Sequence, residues 1–356
     1  MRIAILAPLK RAITPDVTAS RPRVIFDLVS ELIKRGHKIT IFGTADSVVP
    51  GAEVVGVIPK ALNFLPAAEN PFYQHSAYLT KMIKMVTDDF DIIHNHMYPE
   101  FLALLASFKT PLVTTIHAQM TPEMADTLKL FLEAHLVAIS ESAKKLSGLD
   151  IPVIHNGIDT EFFIPGNAVR DYLLFVGRMS KAKNEKGNFL DPKGVVNAIK
   201  IAQKTGDRLK IVGNVEDSAF FETLIKPHLS DKIEFVGDVS SEQLLTREQM
   251  RELFQGAKAF LFPINWEEPF GLVMAEAMAC GTPVVAFNRG SVSEIVIDTK
   301  NGFVVEVSEG VDGFINKLSK LSQISSEECR KDAVTRFSKS RMADDYEKLY
   351  NEVIIR

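Results

Sequence analysis

Short runs of β-branched and aromatic apolar residues recur along the chain, and between them apolar positions repeat at helical spacing. This alternation predicts βαβ units and parallel sheets. In the first half, strands are expected at residues 3–7, 38–43, 91–94, 112–116, 136–139 and 153–155. A helical pattern over 23–35 ends at Gly36, as a helix with glycine just past its end does. After NGIDTEFFIPG at 156–166 the pattern starts again, and YLLFVGR, LKIVG, IEFVGD, AFLFPI, TPVVAF and GFVVEV predict a second sheet. The segment 333–355 has helical spacing and is expected to close the chain as one or two helices.

A length of 356 residues suits two such domains. With 46% apolar and 24% charged residues, the composition excludes long disordered, collagen-like or coiled-coil architectures. The net charge of -4, from 41 basic and 45 acidic residues, provides no global field for nucleic acid or an anionic membrane, so any anion site is local. Cys280 and Cys329 are too few for a disulfide framework and suit a reducing compartment. The opening MRIAILAPLK lacks a signal-peptide pattern, and no apolar stretch approaches the roughly 18 residues that span a bilayer, so a cytoplasmic location is expected. The first glycine is Gly36, which leaves no G-x-G-x-x-G after the first strand and argues against an amino-terminal NAD domain.

The segment 265–294, NWEEPFGLVMAEAMACGTPVVAFNRGSVSE, joins a buried strand through an acidic turn to a helix whose first turn is expected to hold Gly271. A helix amino terminus presents unpaired N–H groups and the positive end of its dipole, so the amides of Phe270, Gly271, Leu272 and Val273 can hold a phosphate. Glu268 and Glu276 flank that position. Carboxylates beside an anion site make sense as acceptors for hydroxyls, which a sugar nucleotide has on both ribose and sugar. Taken alone, the pair is equally readable as a helix-capping residue and a solvated helical one.

Glu268-PFGLVMA-Glu276 resembles the E-x7-E signature of GT-B glycosyltransferases of family 4, and the likeness continues through ACGTPVVAF into the turn at Gly290 and Ser291. FVGR at 175–178 and the later Lys193-Gly194 match the family's diphosphate-binding positions. The resemblance thus implies Gly177 and Arg178 after one strand and Lys193 at the start of the next helix as donor contacts. Residues 182–191 lengthen this loop and contain a competing Lys186-Gly187; Lys193 is preferred because an apolar helix pattern follows it directly. VGNVED at 212–217 and FVGDVS at 235–240 match loops that pass the nucleotide, implicating Gly213 and the backbone around Val239. RGHKITIF, DIIHNH, TTIHA, AISES and HNGID occur in the family's order, so the likeness covers nearly the whole chain.

By that resemblance the protein is an α/β enzyme of GT-B fold, with two Rossmann-like doubly wound domains facing across a cleft. Residues 1–162 form the acceptor domain, 163–335 the sugar-nucleotide donor domain, and 336–356 a helix packing back on the first. The implied function is retaining transfer of a hexose from a nucleotide-diphosphate sugar, UDP-glucose by preference, to a hydroxyl on a small-molecule, glycan or lipid acceptor. Arg178 and Lys193 would stabilise the leaving diphosphate, Glu268 hold the sugar, Glu276 the ribose, and His117 face the donor sugar. No metal or other cofactor is implied. Alternatives are a sugar-nucleotide epimerase, a phosphorylase, or a non-catalytic sugar-nucleotide-binding protein.

His94, His96 and His117 together suggest a metal site, but no carboxylate or cysteine spacing supports it, and packed histidines are the plainer account. Asp89-Phe90-Asp91 has the D-x-D form yet introduces a buried strand. The family's glycine pair after the first strand is replaced by KRAITPDVTASRPR at 10–23, where Arg21 is a candidate for an anionic acceptor group or a plain surface residue. Phe64, Phe72, Tyr73, Tyr78, Met82 and Met85 are expected mainly in the core, with an acceptor wall or peripheral membrane contact as the other possibility.

Overall fold

The computed structural model describes residues 1–97, 102–105, 108–237 and 245–355. The chain forms two compact units, Met1–Ile158 with Ser338–Arg356, and Asp159–Phe337. The first unit contains β1 (Arg2–Leu6), α1 (Ser20–Lys34), β2 (Lys38–Thr44), β3 (Glu53–Ile58), α2 (Pro71–Met85), β4 (Ile92–Asn95), α3 (Leu102–Leu105), β5 (Leu112–Ile116), α4 (Pro122–Leu128), β6 (Leu136–Ala138) and α5 (Glu141–Ser147). The second contains β7 (Tyr172–Val176), α6 (Val195–Thr205), β8 (Arg208–Val212), α7 (Ser218–Leu224), β9 (Ile233–Val236), α8 (Arg247–Gly256), β10 (Ala257–Phe262), α9 (Leu272–Ala279), β11 (Val284–Phe287), α10 (Val292–Ile295), β12 (Gly302–Val305), α11 (Gly310–Leu318) and α12 (Ser326–Phe337). The last helix, α13 (Lys339–Ile355), belongs to the first unit.

Each unit has a six-stranded sheet, ordered β3-β2-β1-β4-β5-β6 and β12-β11-β10-β7-β8-β9, and all recorded strand pairs are parallel. Numbered within its own unit, the second order is the first read backwards, so both are the doubly wound 3-2-1-4-5-6 arrangement. In that arrangement ligands bind beyond the carboxyl ends of the strands where the order reverses. The reversal lies between β1 and β4 in one unit and between β7 and β10 in the other. The central strands are apolar on both faces, as a sheet covered by helices on both sides requires. Cys280 and Cys329 are free and buried, and burial pushes both thiols up to about 12, so neither is a thiolate at neutral pH.

Several elements differ from the sequence reading. α1 starts three residues early, at Ser20, because Pro22 sits in its first turn, where its missing N–H costs nothing. Residues 153–155 make only a single bridge, Ala138 to Val153, instead of a strand. The edge strand β3 was not anticipated; its register with β2 shifts at Gly43, and four of its six residues are incompletely buried, which weakens its pattern. The aromatic stretch before and within α2 is also not mainly core. Phe64, Phe72 and Tyr73 are 65%, 73% and 69% exposed, and only Leu79 and Met82 on α2 are fully buried. The helix packs one face only, and its first turn, capped by Asn70, extends past the core.

α13 is fastened to its unit by polar as well as apolar contacts. Tyr350 Oη lies 2.6 Å from His94 Nδ1, and Tyr346 Oη lies 2.7 Å from Thr115 Oγ1. Gly157, in the HNGID segment, has no room for a side chain: a Cβ there would be 2.7 Å from Lys339 Cα and 3.0 Å from Ser338 O. The glycine lets the backbone of α13 lie against the chain just before it leaves the unit.

Candidate active site

In the second unit the loops after β7, β8, β10 and β11 meet at one end of the sheet. The turn after β7 pairs with the turn after β8: Gly177 N donates to Val212 O at 2.9 Å and Met179 N to Asn214 O at 2.9 Å. Gly213 sits where a Cβ would come within 1.8 Å of Gly177 O, so the two predicted site glycines are in direct backbone contact. This pairing sets Arg178 beside Glu216, 3.1 Å from Nη1 to Oε1, with the arginine still half exposed.

The start of α6 is built by Asp191, which the sequence reading passed over. One of its oxygens accepts from Gly194 N at 2.9 Å and Val195 N at 3.1 Å, and the other from Val196 N at 2.9 Å. Burial pushes its carboxyl up, and the three amides act against that. Gly194 follows with φ +82°, and a Cβ there would lie 1.8 Å from Pro263 O, so only glycine can occupy it. Asn265 N donates to Pro192 O at 2.8 Å, locking this turn to the segment after β10.

That lock brings Lys193 and Glu268 together. Lys193 Nζ lies 2.7 Å from Glu268 Oε2, and Glu268 is buried. Trp266 Nε1 donates to the same Oε2 at 3.0 Å, while the Lys193 ammonium lies 4.5 Å from the Trp266 ring centre. Neighbouring Glu267 turns away: Oε2 accepts from Gly290 N at 2.6 Å and Oε1 from Arg289 Nη1 at 3.1 Å. Ser291 N donates to Glu268 O at 2.9 Å and its hydroxyl to Phe270 O at 2.8 Å. Gly290 has φ +59°, and a Cβ on it would fall 2.3–2.4 Å from the Glu268 backbone. The loop after β11 therefore braces the acidic turn directly.

Gly271 is the residue preceding α9, with φ +81° and ψ 62°, rather than part of the first turn as expected; the left-handed conformation cannot continue into a helix. Gly271, as the N-cap of α9, has no side chain of its own to cap the helix. Leu272 and Val273 open the helix, Phe270 is buried behind it, and Val273 and Glu276 are half buried one turn apart on one face. Lys186 lies at an exposed hairpin tip formed by residues 182–190, where Lys183 pairs with Phe189 and Asn184 Oδ1 accepts from Lys186 N. It is Lys193, not Lys186, that the fold sets against Glu268. Val239 lies outside the described residues. Trp266, Glu267 and Asp191 are the contributors that motif reading missed; the aspartate two residues before Lys193 was the available signal, as a helix-capping side chain.

The strand ends of the first unit hold an uncharged cluster. His94 uses both ring nitrogens on hydroxyls, Nδ1 with Tyr350 at 2.6 Å and Nε2 with Thr115 at 2.8 Å. His96 Nδ1 lies 2.9 Å from His117 Nε2. Burial pushes the His96 imidazole down to about 3, with Arg21 adding to the effect. His94 and His117 are also held well below the usual histidine range, first by burial and then by neighbouring imidazoles, with Arg21 contributing at His117. Asp91 accepts from Arg2 N at 2.6 Å and Asp89 from Thr87, so both carboxylates of the D-x-D are taken up in local structure.

Two doubly wound parallel sheets, one with a paired lysine and glutamate beside a helix amino terminus at its switch point, make up the GT-B glycosyltransferase fold. The model of the family described as glycosyl transferases group 1 matches residues 159–336, half of the chain, and that described as glycosyltransferase family 4 matches residues 22–162. The chain belongs to the glycosyl transferases of group 1, and it is a glycosyltransferase. A D-inositol 3-phosphate glycosyltransferase from Pseudarthrobacter chlorophenolicus is 27% identical over 347 residues, spanning 81% of this chain and 78% of the relative. An N-acetyl-alpha-D-glucosaminyl L-malate synthase from Bacillus anthracis is 24% identical, with 92% of each chain covered. Among solved structures, AviGT4, a glycosyltransferase involved in avilamycin A biosynthesis, shares the fold with a TM-score of 0.72 at 22% identity, covering 99% of this chain and 98% of that one. HepE from Anabaena, in complex with UDP and glucose, gives 0.70 at 19% identity and 99% coverage of both chains. Among the described residues no helix is long and apolar enough to cross a membrane.

Proposed function

We propose that this glycosyltransferase moves a hexose from UDP-glucose to an acceptor hydroxyl with retention at the anomeric carbon, and that it needs no metal. The observation that carries the donor reading is the Lys193–Glu268 pair beside the start of α9. Lys193, Arg178 and the amides of Leu272 and Val273 take the negative charge that grows on the leaving diphosphate, which is where preorganised cations and N–H groups lower a barrier most. Glu268 accepts from sugar hydroxyls and Glu276 from the ribose. The C1–O bond to the diphosphate breaks with its electron pair going to phosphate, the acceptor oxygen bonds to C1, and the hydroxyl proton passes to the diphosphate or solvent. Lys193 is the diphosphate lysine in this scheme, Gly177 and Gly213 let the nucleotide approach the backbone, and His117 meets the sugar as a neutral imidazole.

Support for the donor comes from HepE, whose fold this chain shares and whose structures hold UDP-glucose. The names of the inositol-phosphate and malate relatives describe acceptors that carry both hydroxyl and anionic groups. Arg21, close enough to act electrostatically on His96 and His117, suits an acceptor of that kind. The test is transfer from UDP-, GDP- and ADP-sugars, with and without a chelator, to hydroxy-acid and sugar-phosphate acceptors. NMR of the product's anomeric coupling reads the stereochemistry. Retained configuration with UDP-glucose and no chelator effect is expected; an epimerised donor without acceptor, phosphate-dependent sugar release, or binding without turnover overturns the reading in favour of an epimerase, a phosphorylase or a binding protein respectively.

A further inference from the structure

We infer that Trp266 is a positioning residue: its indole N–H keeps Glu268 in place while Lys193 changes partner from Glu268 to the donor diphosphate. The inference rests on the donor reading above. Trp266 is the single tryptophan of the chain, and it touches both members of the ion pair. Lys193 Nζ and Trp266 Nε1 converge on the same oxygen, Glu268 Oε2, at 2.7 and 3.0 Å. The ammonium also rests 4.5 Å from the indole centre, within the range of a cation–π contact.

Without donor, lysine and glutamate neutralise one another in a partly buried setting, with side-chain exposures of 21% and 10%. A diphosphate draws the ammonium away, and a buried carboxylate that loses its cation is strongly disfavoured unless other donors remain. The indole N–H is such a donor. It comes from the same turn, two residues before Glu268, and cannot follow the lysine. With that bond kept, Oε2 stays satisfied and Oε1 is left to accept from the donor. The exchange also lifts the charge off the indole face, so the tryptophan reports the event optically.

Trp266→Phe retains the ring and removes the N–H. In the free variant Lys193 still holds Glu268, so the melting temperature falls less than in Lys193→Met, which leaves the buried carboxylate without its cation. Calorimetric affinity for whichever of UDP, GDP and ADP binds the wild type best falls about tenfold, the effect of losing one hydrogen bond to a charged group. Indole-selective fluorescence gives a second measurement. That nucleotide shifts wild-type emission, and free Lys193→Met emits like the nucleotide-bound wild type, since neither has an ammonium over the ring. Wild-type affinity in Trp266→Phe, emission unmoved at saturating nucleotide, or a melting temperature lowered as far as in Lys193→Met overturns the role of Trp266. Failure of all three nucleotides to bind the wild-type protein overturns the donor reading itself.

Discussion

At the switch point of the first sheet, neutral groups form two hydrogen-bonded sets, Tyr350–His94–Thr115–Tyr346 and His96–His117, with Arg21 acting electrostatically on the second. At the same topological position in the second sheet stand ion pairs: Lys193 with Glu268, Arg178 with Glu216, Arg289 with Glu267. One strand order thus supports two kinds of chemistry. The set from Tyr350 through His94 and Thr115 to Tyr346 holds one arrangement, because each of those buried groups is costly to leave unpaired, whereas His96 Nε2 is buried with no hydrogen-bond partner among the described residues. Paired ions can exchange partners when a charged ligand arrives, because the ligand and the remaining hydrogen-bond donors share the cost of separating them. Under the proposed function, the neutral groups would serve a hydroxylic acceptor and the exchangeable charges a diphosphate donor.

The sharpest way to break this contrast is Lys193→Ala, expected to lower kcat/KM with the donor by roughly a hundredfold or more, as for loss of a charge-stabilising group; steady-state kinetics with no change would end the donor assignment. Next, Gly290→Ala forces a side chain into the Glu268 backbone at positive φ and should cost a few kcal/mol of stability, read as a lower urea midpoint. On the neutral side, His94 and His96 bind protons less readily folded than unfolded, where histidine titrates near 6.5. The unfolded chain therefore takes up protons first as pH falls. Stability is full above about pH 6.5 and declines below it, for His96 until pH reaches about 3. Urea midpoints that stay flat from about pH 7 to 5 would show that these imidazoles protonate in place. Glu276→Ala should weaken donor binding about tenfold by calorimetry, through a lost hydrogen bond to the ribose. Smallest of all, Lys186→Ala at the exposed hairpin tip should leave donor kinetics within about twofold, as surface substitutions usually do; a large loss would return the diphosphate role to that lysine.

Much of the fold was legible because buried parallel strands leave continuous apolar runs, as in β7, the second half of β10 and β11. The edge strand β3 and the bridge at Val153 were misjudged for the opposite reason: partial burial relaxes the pattern that identifies a strand. Phe64, Phe72 and Tyr73 were misjudged because apolar character does not reveal which face of a helix finds a partner. At the site, Glu268 and Glu276 were visible from spacing around a helix start. Trp266 and Glu267 were not, since an indole or a second glutamate beside a motif carries no signal of the atom it will touch.

Local chemistry is thus what the sequence determined by itself: the alternation of strands and helices, the glycine that ends α1, and which residue types stand near a helix amino terminus. These follow from short-range sterics and hydrogen bonding. Which of two lysines faces Glu268, which of two adjacent glutamates braces a loop, and which histidines share a proton network were decided only by tertiary structure. Those choices depend on contacts between segments far apart in the chain, such as Asp191 with Asn265, Gly290 with Glu268, and His94 with Tyr350, and they exist only once packing has brought the segments together.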